Sequence, residues 1–304
     1  MMLSYETLLS HLSNNGLRLA WNLGFRPGYS PTRMRKNFDA MTAAENFVFK
    51  SLDSGDARIE SANLSGVPVE IIETTPQPAR TILYLHGGGY FMGNVRGYRK
   101  RGLDLATHCN ARVVLVEYRL APEHPFPAGL DDAVAAYGAA LERFPNTPLI
   151  VGGDSAGGGL TLALLLRLRD EKKRLPPRAF CVSPWTDMIG TGASMRTNHG
   201  RDAWLTKKHI DTWAPWYYGS HEPRTPYLSP VFGNFLGLPP LLLFVGDQEV
   251  LLDDSVRVAE IARAAGVPVQ LNIGPGMQHD WLLLLPWLKE SQKAMSELAK
   301  FVGN

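Results

Sequence analysis

Ser155 is the residue whose neighbours most clearly indicate chemistry. It lies in the pentapeptide Gly153-Asp154-Ser155-Ala156-Gly157, after an apolar run and before a helix-forming run. The order strand, serine, helix is typical of a nucleophile elbow, in which a strained turn exposes the hydroxyl above a sheet. The bracketing glycines carry no Cβ, so neighbouring backbone can approach closely, and the helix N-terminus directs unpaired N–H groups at a developing oxyanion. Taken alone, the pattern also fits an ordinary glycine-rich turn.

A second glycine-rich stretch could supply the donors that such a serine needs. Three successive glycines allow backbone N–H groups to converge on one point, where they would stabilise the charge of a tetrahedral intermediate. A dinucleotide fingerprint is excluded because Met92 stands where its third glycine belongs, and a Walker loop because the Gly-Lys-Ser/Thr ending is missing. A flexible turn is the remaining alternative. The stretch follows a predicted strand and reads His86-Gly87-Gly88-Gly89-Tyr90.

A third motif connects these two and carries a family resemblance. The sequence Tyr-Arg-Leu-Ala-Pro-Glu at 118–123 lies between the H-G-G-G run and the G-D-S-A-G pentapeptide. In this order the three motifs closely resemble the hormone-sensitive-lipase-like carboxylesterases, a bacterial branch of the α/β-hydrolase fold. The resemblance runs from about Thr81 to the C-terminus and implies that Gly88, Gly89 and Ala156 supply the oxyanion N–H groups. For 118–123 we expect an architectural role.

His279 is the predicted general base. The fold orders its triad as serine, acid, histidine, and His279 is the last of eight histidines and the only one after the predicted strand 267–271. A loop at that place can present the imidazole to Ser155. The family usually has His-Gly-Phe here, and the sequence His279-Asp280-Trp281 departs from it at the second position. His86, in the glycine stretch, is expected to make structural hydrogen bonds.

The acid of the triad must follow the predicted strand 241–245, where several carboxylates stand. We interpret Asp253 and Asp254 as caps of the helix that follows them, which leaves Asp247 and Glu249. Relatives commonly have Asp-Pro-Leu-Arg-Asp in this place, and a gap-free alignment puts Glu249 at the catalytic position. A glutamate can accept the Nδ1–H of the imidazole as an aspartate does. We therefore predict Glu249, with Asp247 as the alternative.

Short apolar segments alternate with helix-forming segments from Val67 onward. This rhythm predicts an α/β protein, an α/β-hydrolase fold with a mostly parallel central sheet flanked by helices, and ligands at the carboxyl ends of the strands. Residues 1–50 are predicted to be N-terminal cap helices and residues 51–304 the catalytic domain. Within that domain, residues 185–238, rich in Trp, Tyr, Pro and Gly, form a predicted cap insertion.

The cap is expected to wall an apolar pocket. Its aromatic residues are Trp213, Trp216 and Tyr217 in the insertion and those around Trp21 and Phe25 near the N-terminus. The predicted substrate-binding residues are Tyr90, Asp154 and Trp213.

Composition excludes several classes of protein. The 304 residues are 45% apolar and 20% charged with a net charge of +2, so nothing favours nucleic acid as a partner. Cys109 and Cys181 are predicted to be buried free thiols, because two cysteines are too few for a disulfide framework. No His, Asp or Glu grouping has metal-ligand spacing, and we expect neither a metal nor a cofactor. The N-terminus lacks a signal-peptide pattern and no apolar run could span a membrane, which predicts a cytoplasmic protein without an integral membrane segment.

Together these observations predict a carboxylesterase that acts on small to medium apolar acyl esters through a Ser-His-acid triad and an acyl-enzyme. The partner is a small-molecule ester, and a homodimer is an expectation based on relatives alone. A lactonase or amidase is one alternative, because acyl-transfer machinery does not select the leaving group. A non-catalytic small-molecule receptor is another, since plant gibberellin receptors resemble this family, keep the serine and lose the histidine. The presence of His279 favours an enzyme.

Overall fold

The structure, a computed structural model, describes residues 21, 23–49 and 57–303. Residues 1–20 of the first predicted cap segment lie outside the described residues. Residue 22, residues 50–56 and residue 304 lie outside them as well.

A single sheet of eight strands forms the centre of the described chain, in the order β1-β2-β4-β3-β5-β6-β7-β8. Strands β1, β2 and β4 pair antiparallel, and from β4 to β8 every neighbouring pair is parallel. The predicted fold class is confirmed. The strands are β1 (Arg58–Leu64), β2 (Val67–Glu73), β3 (Arg80–Leu85), β4 (Ala111–Val116), β5 (Leu149–Asp154), β6 (Ala179–Val182), β7 (Leu241–Gly246) and β8 (Val269–Gly274).

Helices cover both faces of the sheet, as a parallel sheet requires. The larger apolar core takes in residues from both faces of β3 and β4, and a smaller core lies between α4, α7 and strands β6 and β7. The helices with described bounds are α1 (Pro31–Phe49), α2 (Arg99–Cys109), α3 (Ala128–Arg143), α4 (Ser155–Asp170), α5 (Ser194–Thr197), α6 (Lys207–Tyr218), α7 (Leu252–Ala264), α8 (Trp281–Leu284) and α9 (Lys289–Gly303), with a 3-10 turn at Pro230–Phe232.

The apolar runs of the sequence correspond to the central strands. Every residue of β5, β6 and β7 is buried, which explains why these strands are continuous apolar runs without alternation. The prediction missed β1, whose sequence Arg-Ile-Glu-Ser-Ala-Asn-Leu is largely exposed at the edge of the sheet. It also began β8 two residues too early, at Val267, where the structure begins the strand at Val269.

Residues near the N-terminus contact the segment between β6 and β7. Trp21 stacks on Phe25 at 4.1 Å between ring centroids and meets Trp204 edge-on at 5.1 Å. His209, which caps α6 together with Thr206, lies 3.1 Å from the Phe25 carbonyl through Nε2. These contacts join the two parts of the chain above the carboxyl ends of the strands.

Within the described residues, no helix combines the length and the apolar character needed to cross a bilayer. Cys109 and Cys181 are buried free thiols, as predicted.

Candidate active site

Ser155 occupies the junction between β5 and α4. Its φ of +51° lies in the left-handed region, and the residue is 7% exposed. The turn is tight because neighbouring backbone comes very close: a Cβ on Gly157 would lie 1.9 Å from the Leu85 carbonyl oxygen, and one on Gly153 would lie 2.5 Å from the same atom. The strained serine and its bracketing glycines have the geometry of a nucleophile elbow.

Gly157→Ala is expected to damage both stability and activity. The added methyl would overlap backbone rather than a movable side chain, so the turn must shift. Overpacking of this kind costs about 1–3 kcal/mol in the free energy of unfolding. Gly138→Ala in α3 is the matched control, because its Cβ would meet nothing within 4 Å. Urea denaturation and ester turnover measure both variants. A Gly157→Ala protein that unfolds at the wild-type urea concentration would contradict this account of the turn.

His279 lies between the serine and a carboxylate. Its Nε2 is 2.9 Å from Ser155 Oγ, and its Nδ1 is 2.9 Å from Glu249 Oε2. In the neutral imidazole, Nδ1–H donates to Glu249 and Nε2 accepts from the serine hydroxyl. The three predicted triad residues, from three separate parts of the chain, are thus brought into one hydrogen-bonded chain.

The carboxylate of Glu249 is fully buried and held on two sides. Its Oε1 accepts hydrogen bonds from Ser183 Oγ at 2.7 Å and from Gly246 N at 2.5 Å, which leaves Oε2 to face the imidazole. Asp247, the alternative acid, accepts instead from Gly276 N at 2.8 Å. Of the two candidates, the structure places Glu249 and not Asp247 against His279.

Asp253 and Asp254 are not the helix caps that we predicted. Helix α7 begins at Leu252 without a side-chain capping bond. Asp254 Oδ2 accepts from the backbone of Thr186 and Asp187, and Asp253 Oδ2 accepts from Ser194 N. Burial and the charge of Asp187 raise the pKa of Asp254 to about 7. These two carboxylates therefore fix the segment after β6.

Asp154 supports the glycine stretch. Its Oδ1 accepts from the Tyr84 hydroxyl at 2.7 Å and from Gly87 N at 3.1 Å, and its Oδ2 accepts from the Tyr98 hydroxyl at 2.7 Å. Burial, reinforced by the charge of Asp154, raises the pKa of both tyrosines well above the usual range, so they remain donors. Asp154 borders the cavity, and protein donors occupy both of its oxygens; its contact with substrate stays a prediction.

The H-G-G-G stretch follows β3 and bends toward Ser155. Gly88 and Gly89 have φ values of +115° and +62°, which glycine adopts without a Cβ penalty. Both line the same cavity as Ser155. Ala156 lies in the first turn of α4, where backbone N–H groups have no intrahelical acceptor. The predicted oxyanion donors therefore flank the serine on two elements.

His86 and the 118–123 segment hold this stretch from behind. His86 Nδ1 lies 2.7 Å from the Gly87 carbonyl, and its ring stacks on Tyr118 at 4.3 Å. The Tyr118 hydroxyl donates to the His86 carbonyl at 2.7 Å. Burial lowers the pKa of His86. These contacts are structural hydrogen bonds of the kind we predicted for His86, and they give Tyr118 the architectural role expected of its segment.

A cavity of about 370 Å³ opens above the serine. Trp213 lines it, whereas Tyr90 is not among the described lining residues, and a contact of Tyr90 with substrate stays a prediction. The Tyr90 ring is buried and stacks on Tyr217 at 3.8 Å, which directs both rings into the core. The lining residues are Trp21, Phe38, Met41, Gly88, Gly89, Met92, Tyr98, Arg101, Asp154, Ser155, Trp185, Trp204, Leu205, Ile210, Trp213, His279, Asp280, Leu283, Leu284 and Trp287.

The electrostatics of His279 are dominated by carboxylates. Burial alone lowers the pKa of an imidazole, but the charges of Asp280 and Glu249 outweigh it and raise the pKa of His279 to about 10. The arrangement can pass a proton from the serine to the imidazole and hold the resulting imidazolium, as acyl transfer requires.

Sequence reasoning missed two supports of this site. Ser183 holds Glu249, and Asp280 lies beside His279 with its Oδ2 3.2 Å from Nε2. Ser183 directly follows β6, so the rule that ligands bind at the carboxyl ends of strands could have singled it out. The contact of Asp280 with His279 depends on a backbone turn that we did not predict from the sequence.

Fold and site together define a serine ester hydrolase built on the α/β-hydrolase fold. Residues 82–283 match a family described by the alpha/beta hydrolase fold. An acetyl-hydrolase of Streptomyces hygroscopicus is 40% identical over 234 residues, which cover 77% of this chain and 78% of that protein. An esterase of Acinetobacter venetianus is 35% identical over 246 residues, covering 80% of this chain and 81% of that one.

Among solved structures, an esterase from the bacterial hormone-sensitive lipase family aligns with a TM-score of 0.88 and 36% identity, over 100% of this chain and 99% of that chain. The chain belongs to the α/β-hydrolase family and, within it, to the hormone-sensitive-lipase-like carboxylesterases. The predicted family and enzyme class are confirmed.

Proposed function

We propose that this enzyme hydrolyses carboxylic esters with small to medium apolar acyl groups, through an acyl-enzyme on Ser155. The observation that carries the proposal is the continuous hydrogen-bonded chain from Ser155 through His279 to Glu249 at the floor of an apolar cavity. A serine, a base and an orienting acid within hydrogen-bond reach are the requirements of nucleophilic acyl transfer.

In the proposed mechanism, His279 takes the proton of Ser155 as the oxygen attacks the ester carbonyl. The N–H groups of Gly88, Gly89 and Ala156 stabilise the oxyanion, an interaction worth about 3–4 kcal/mol of barrier for a single donor. His279 then protonates the departing alcohol, and Glu249 stabilises the transient imidazolium. Water repeats the same steps on the acyl-enzyme and releases the acid.

The size and lining of the cavity support small to medium substrates. Its volume of about 370 Å³ lies at the lower end of small-molecule sites, about 300–1,000 Å³. Tryptophans and aliphatic side chains form most of its wall. The name of the Streptomyces relative, acetyl-hydrolase, agrees with a short acyl group.

We further propose that residues 21–49 and 185–238 act as the cap over this cavity, within the predicted division into N-terminal helices, catalytic domain and insertion. Both segments contribute lining residues: Trp21, Phe38 and Met41 from the first, and Trp204 and Trp213 among others from the second. Residues 1–20 belong to the predicted cap as well, outside the described part of the chain.

A chain-length series of p-nitrophenyl esters tests the proposed specificity, with Trp213→Ala as the decisive variant. We expect wild-type kcat/KM to be highest for acetyl to hexanoyl esters. Removing the Trp213 ring enlarges the cavity, so the variant should lose about tenfold in kcat/KM on short esters, equivalent to about 1.4 kcal/mol of lost contact, and its optimum should shift to longer chains. Trp216→Ala is the control, because this half-buried ring on the same helix is not among the described residues that line the cavity.

An optimum that stays unchanged in Trp213→Ala, or moves equally in Trp216→Ala, would contradict the proposed acyl pocket. Lactones and amides belong in the same series, since superior turnover of either class would replace the ester proposal by one of the alternatives. The absence of a cofactor or metal, a cytoplasmic location and a homodimer stay predictions.

A further inference from the structure

Asp280 adopts a backbone conformation that its side chain disfavours. It directly follows His279 and has a φ of +54°, in the left-handed region that glycine occupies freely. For a residue with a Cβ this conformation costs about 1 kcal/mol. Such strain is typical of functional sites, where the surrounding structure imposes it. The contacts of the carboxylate indicate what the strained turn achieves.

The turn aims the Asp280 side chain at the base. Asp280 Oδ2 lies 3.2 Å from His279 Nε2, the same nitrogen that lies 2.9 Å from Ser155 Oγ. The backbone N–H of Asp280 donates to Ser183 Oγ at 3.1 Å, and Ser183 Oγ in turn donates to Glu249. One serine thus positions a carboxylate on each side of the imidazole, Glu249 at Nδ1 and Asp280 at Nε2.

The His279–Asp280 pair is buried and has several carboxylates around it. Asp280 is 7% exposed, and its Oδ1 has no hydrogen-bond partner within residues 21, 23–49 and 57–303. Among the charged groups of the described chain that act on the His279–Asp280 pair, Asp154, Asp202 and Glu249 are negative and Arg101 is positive. The titratable groups that face the His279–Asp280 pair are Ser155 at the start of α4, Asp154 at the end of β5, Glu249 after β7, Asp202 before α6, Arg101 on α2, Tyr84 on β3 and Tyr98 before α2.

We propose that Asp280 is a positioning residue that acts through His279: it holds a proton at Nε2 and thereby shifts the activity of this esterase to alkaline pH. The proposal rests on the proposed function, since it requires His279 to be the base for Ser155.

The direction of the pH shift follows from the two places where the shared proton can reside. With the proton on Nε2, the Asp280 carboxylate stabilises the imidazolium; with the proton on Asp280, its O–H donates to the Nε2 lone pair. In either state Nε2 cannot accept the proton of Ser155. Burial raises the pKa of Asp280 well above its usual range, and the nearby carboxylates add to this effect, so the pair retains one proton to a higher pH than an isolated imidazole does. Catalysis begins when that proton leaves to solvent.

Above that pH the same carboxylate accelerates the reaction. Once the pair is deprotonated, Asp280 favours the imidazolium that forms when His279 accepts the Ser155 proton, and a base of higher pKa is the stronger base. Removing the charge should therefore make the enzyme faster at neutral pH and slower at alkaline pH. A purely structural role for Asp280 would lower activity at every pH instead.

Asp280→Asn and Asp280→Gly test the proposal through the pH profile of kcat/KM. Asparagine keeps the shape of the side chain, and glycine relieves the positive φ. We expect the midpoint of the acid limb to move to lower pH by at least one unit in both variants. Near pH 10 the kcat/KM of the wild type should rise above that of either variant. Methyl butyrate is the substrate, and the butyrate released is quantified by chromatography. Asp247→Asn is the control, since its carboxylate accepts from Gly276 N and not from the imidazole.

A titration of the His279 ring by NMR gives a readout independent of turnover, with the resonance assigned by its loss in His279→Asn. Its pKa should fall by at least one unit in both Asp280 variants and stay in place in Asp247→Asn. If a fluorophosphonate still labels Ser155 in the Asp280 variants while the His279 pKa and the acid limb stay in place, the proposed role of Asp280 is wrong. The proposed function is untouched by that result. Failure of the label on the wild type would instead overturn the proposed function.

Discussion

Ser155→Ala is expected to lower kcat for p-nitrophenyl butyrate by about 10⁴-fold or more, with little change in KM. The substitution removes only the hydroxyl, whose oxygen would form the bond to the acyl group in the acyl-enzyme. Loss of a triad member leaves a residual rate from the oxyanion donors and from substrate positioning, so a small activity above background is expected. Initial rates with purified protein give the comparison.

Ser255→Ala is a matched control for this experiment. Ser255 is fully buried on α7, and its hydroxyl has no hydrogen-bond partner among the described residues, so its loss should leave turnover unchanged. A fluorophosphonate should label wild type and Ser255→Ala but not Ser155→Ala. More than about 1% residual activity in Ser155→Ala would show that another group attacks the ester. An unlabelled wild type would favour the receptor alternative.

The sequence predicted the parts of this molecule that depend on local pattern. Strands β3, β5 and β7 are buried on both faces, so their sequences are unbroken apolar runs that can be recognised without a structure. The elbow around Ser155 was recognisable because only glycine fits at the two positions that bracket it, 153 and 157. Strand β1 was not predicted, because an exposed edge strand carries few apolar residues.

What the sequence could not predict depends on contacts between distant segments. The carboxylates of Asp253 and Asp254 resemble helix caps because a helix follows them, yet the segment after β6 supplies their donors. The stacking of Tyr90 on Tyr217 of α6, which buries both rings, likewise joins segments far apart in the chain. For Asp253 and Asp254, tertiary packing overrides the local interpretation.

Glu249→Gln is expected to lower kcat by about 10³–10⁴-fold, and the hydrogen bonds of Glu249 explain why an isosteric change is so costly. Ser183 Oγ and Gly246 N donate to one carboxylate oxygen, and in glutamine they select the carbonyl oxygen for that place. The amide NH₂ then faces His279 Nδ1 and donates to it. The imidazole must place its proton on Nε2, where it cannot accept from Ser155. Stabilisation of the imidazolium is lost as well.

Asp247→Asn makes this prediction specific to Glu249. It removes a carboxylate two residues away whose Oδ1 accepts from Gly276 N, so kcat should stay within a few-fold of the wild type. Glu249→Asp tests whether the length of the side chain matters, because it keeps the charge but is shorter by one methylene. Ser183 and Gly246 hold the carboxylate, so we expect an activity between those of the wild type and Glu249→Gln. Thermal unfolding of all three variants separates a change in tautomer from a loss of fold. If Asp247→Asn were the inactive variant and Glu249→Gln the active one, the acid of the triad would be Asp247, and the hydrogen bond at Nδ1 would serve structure alone.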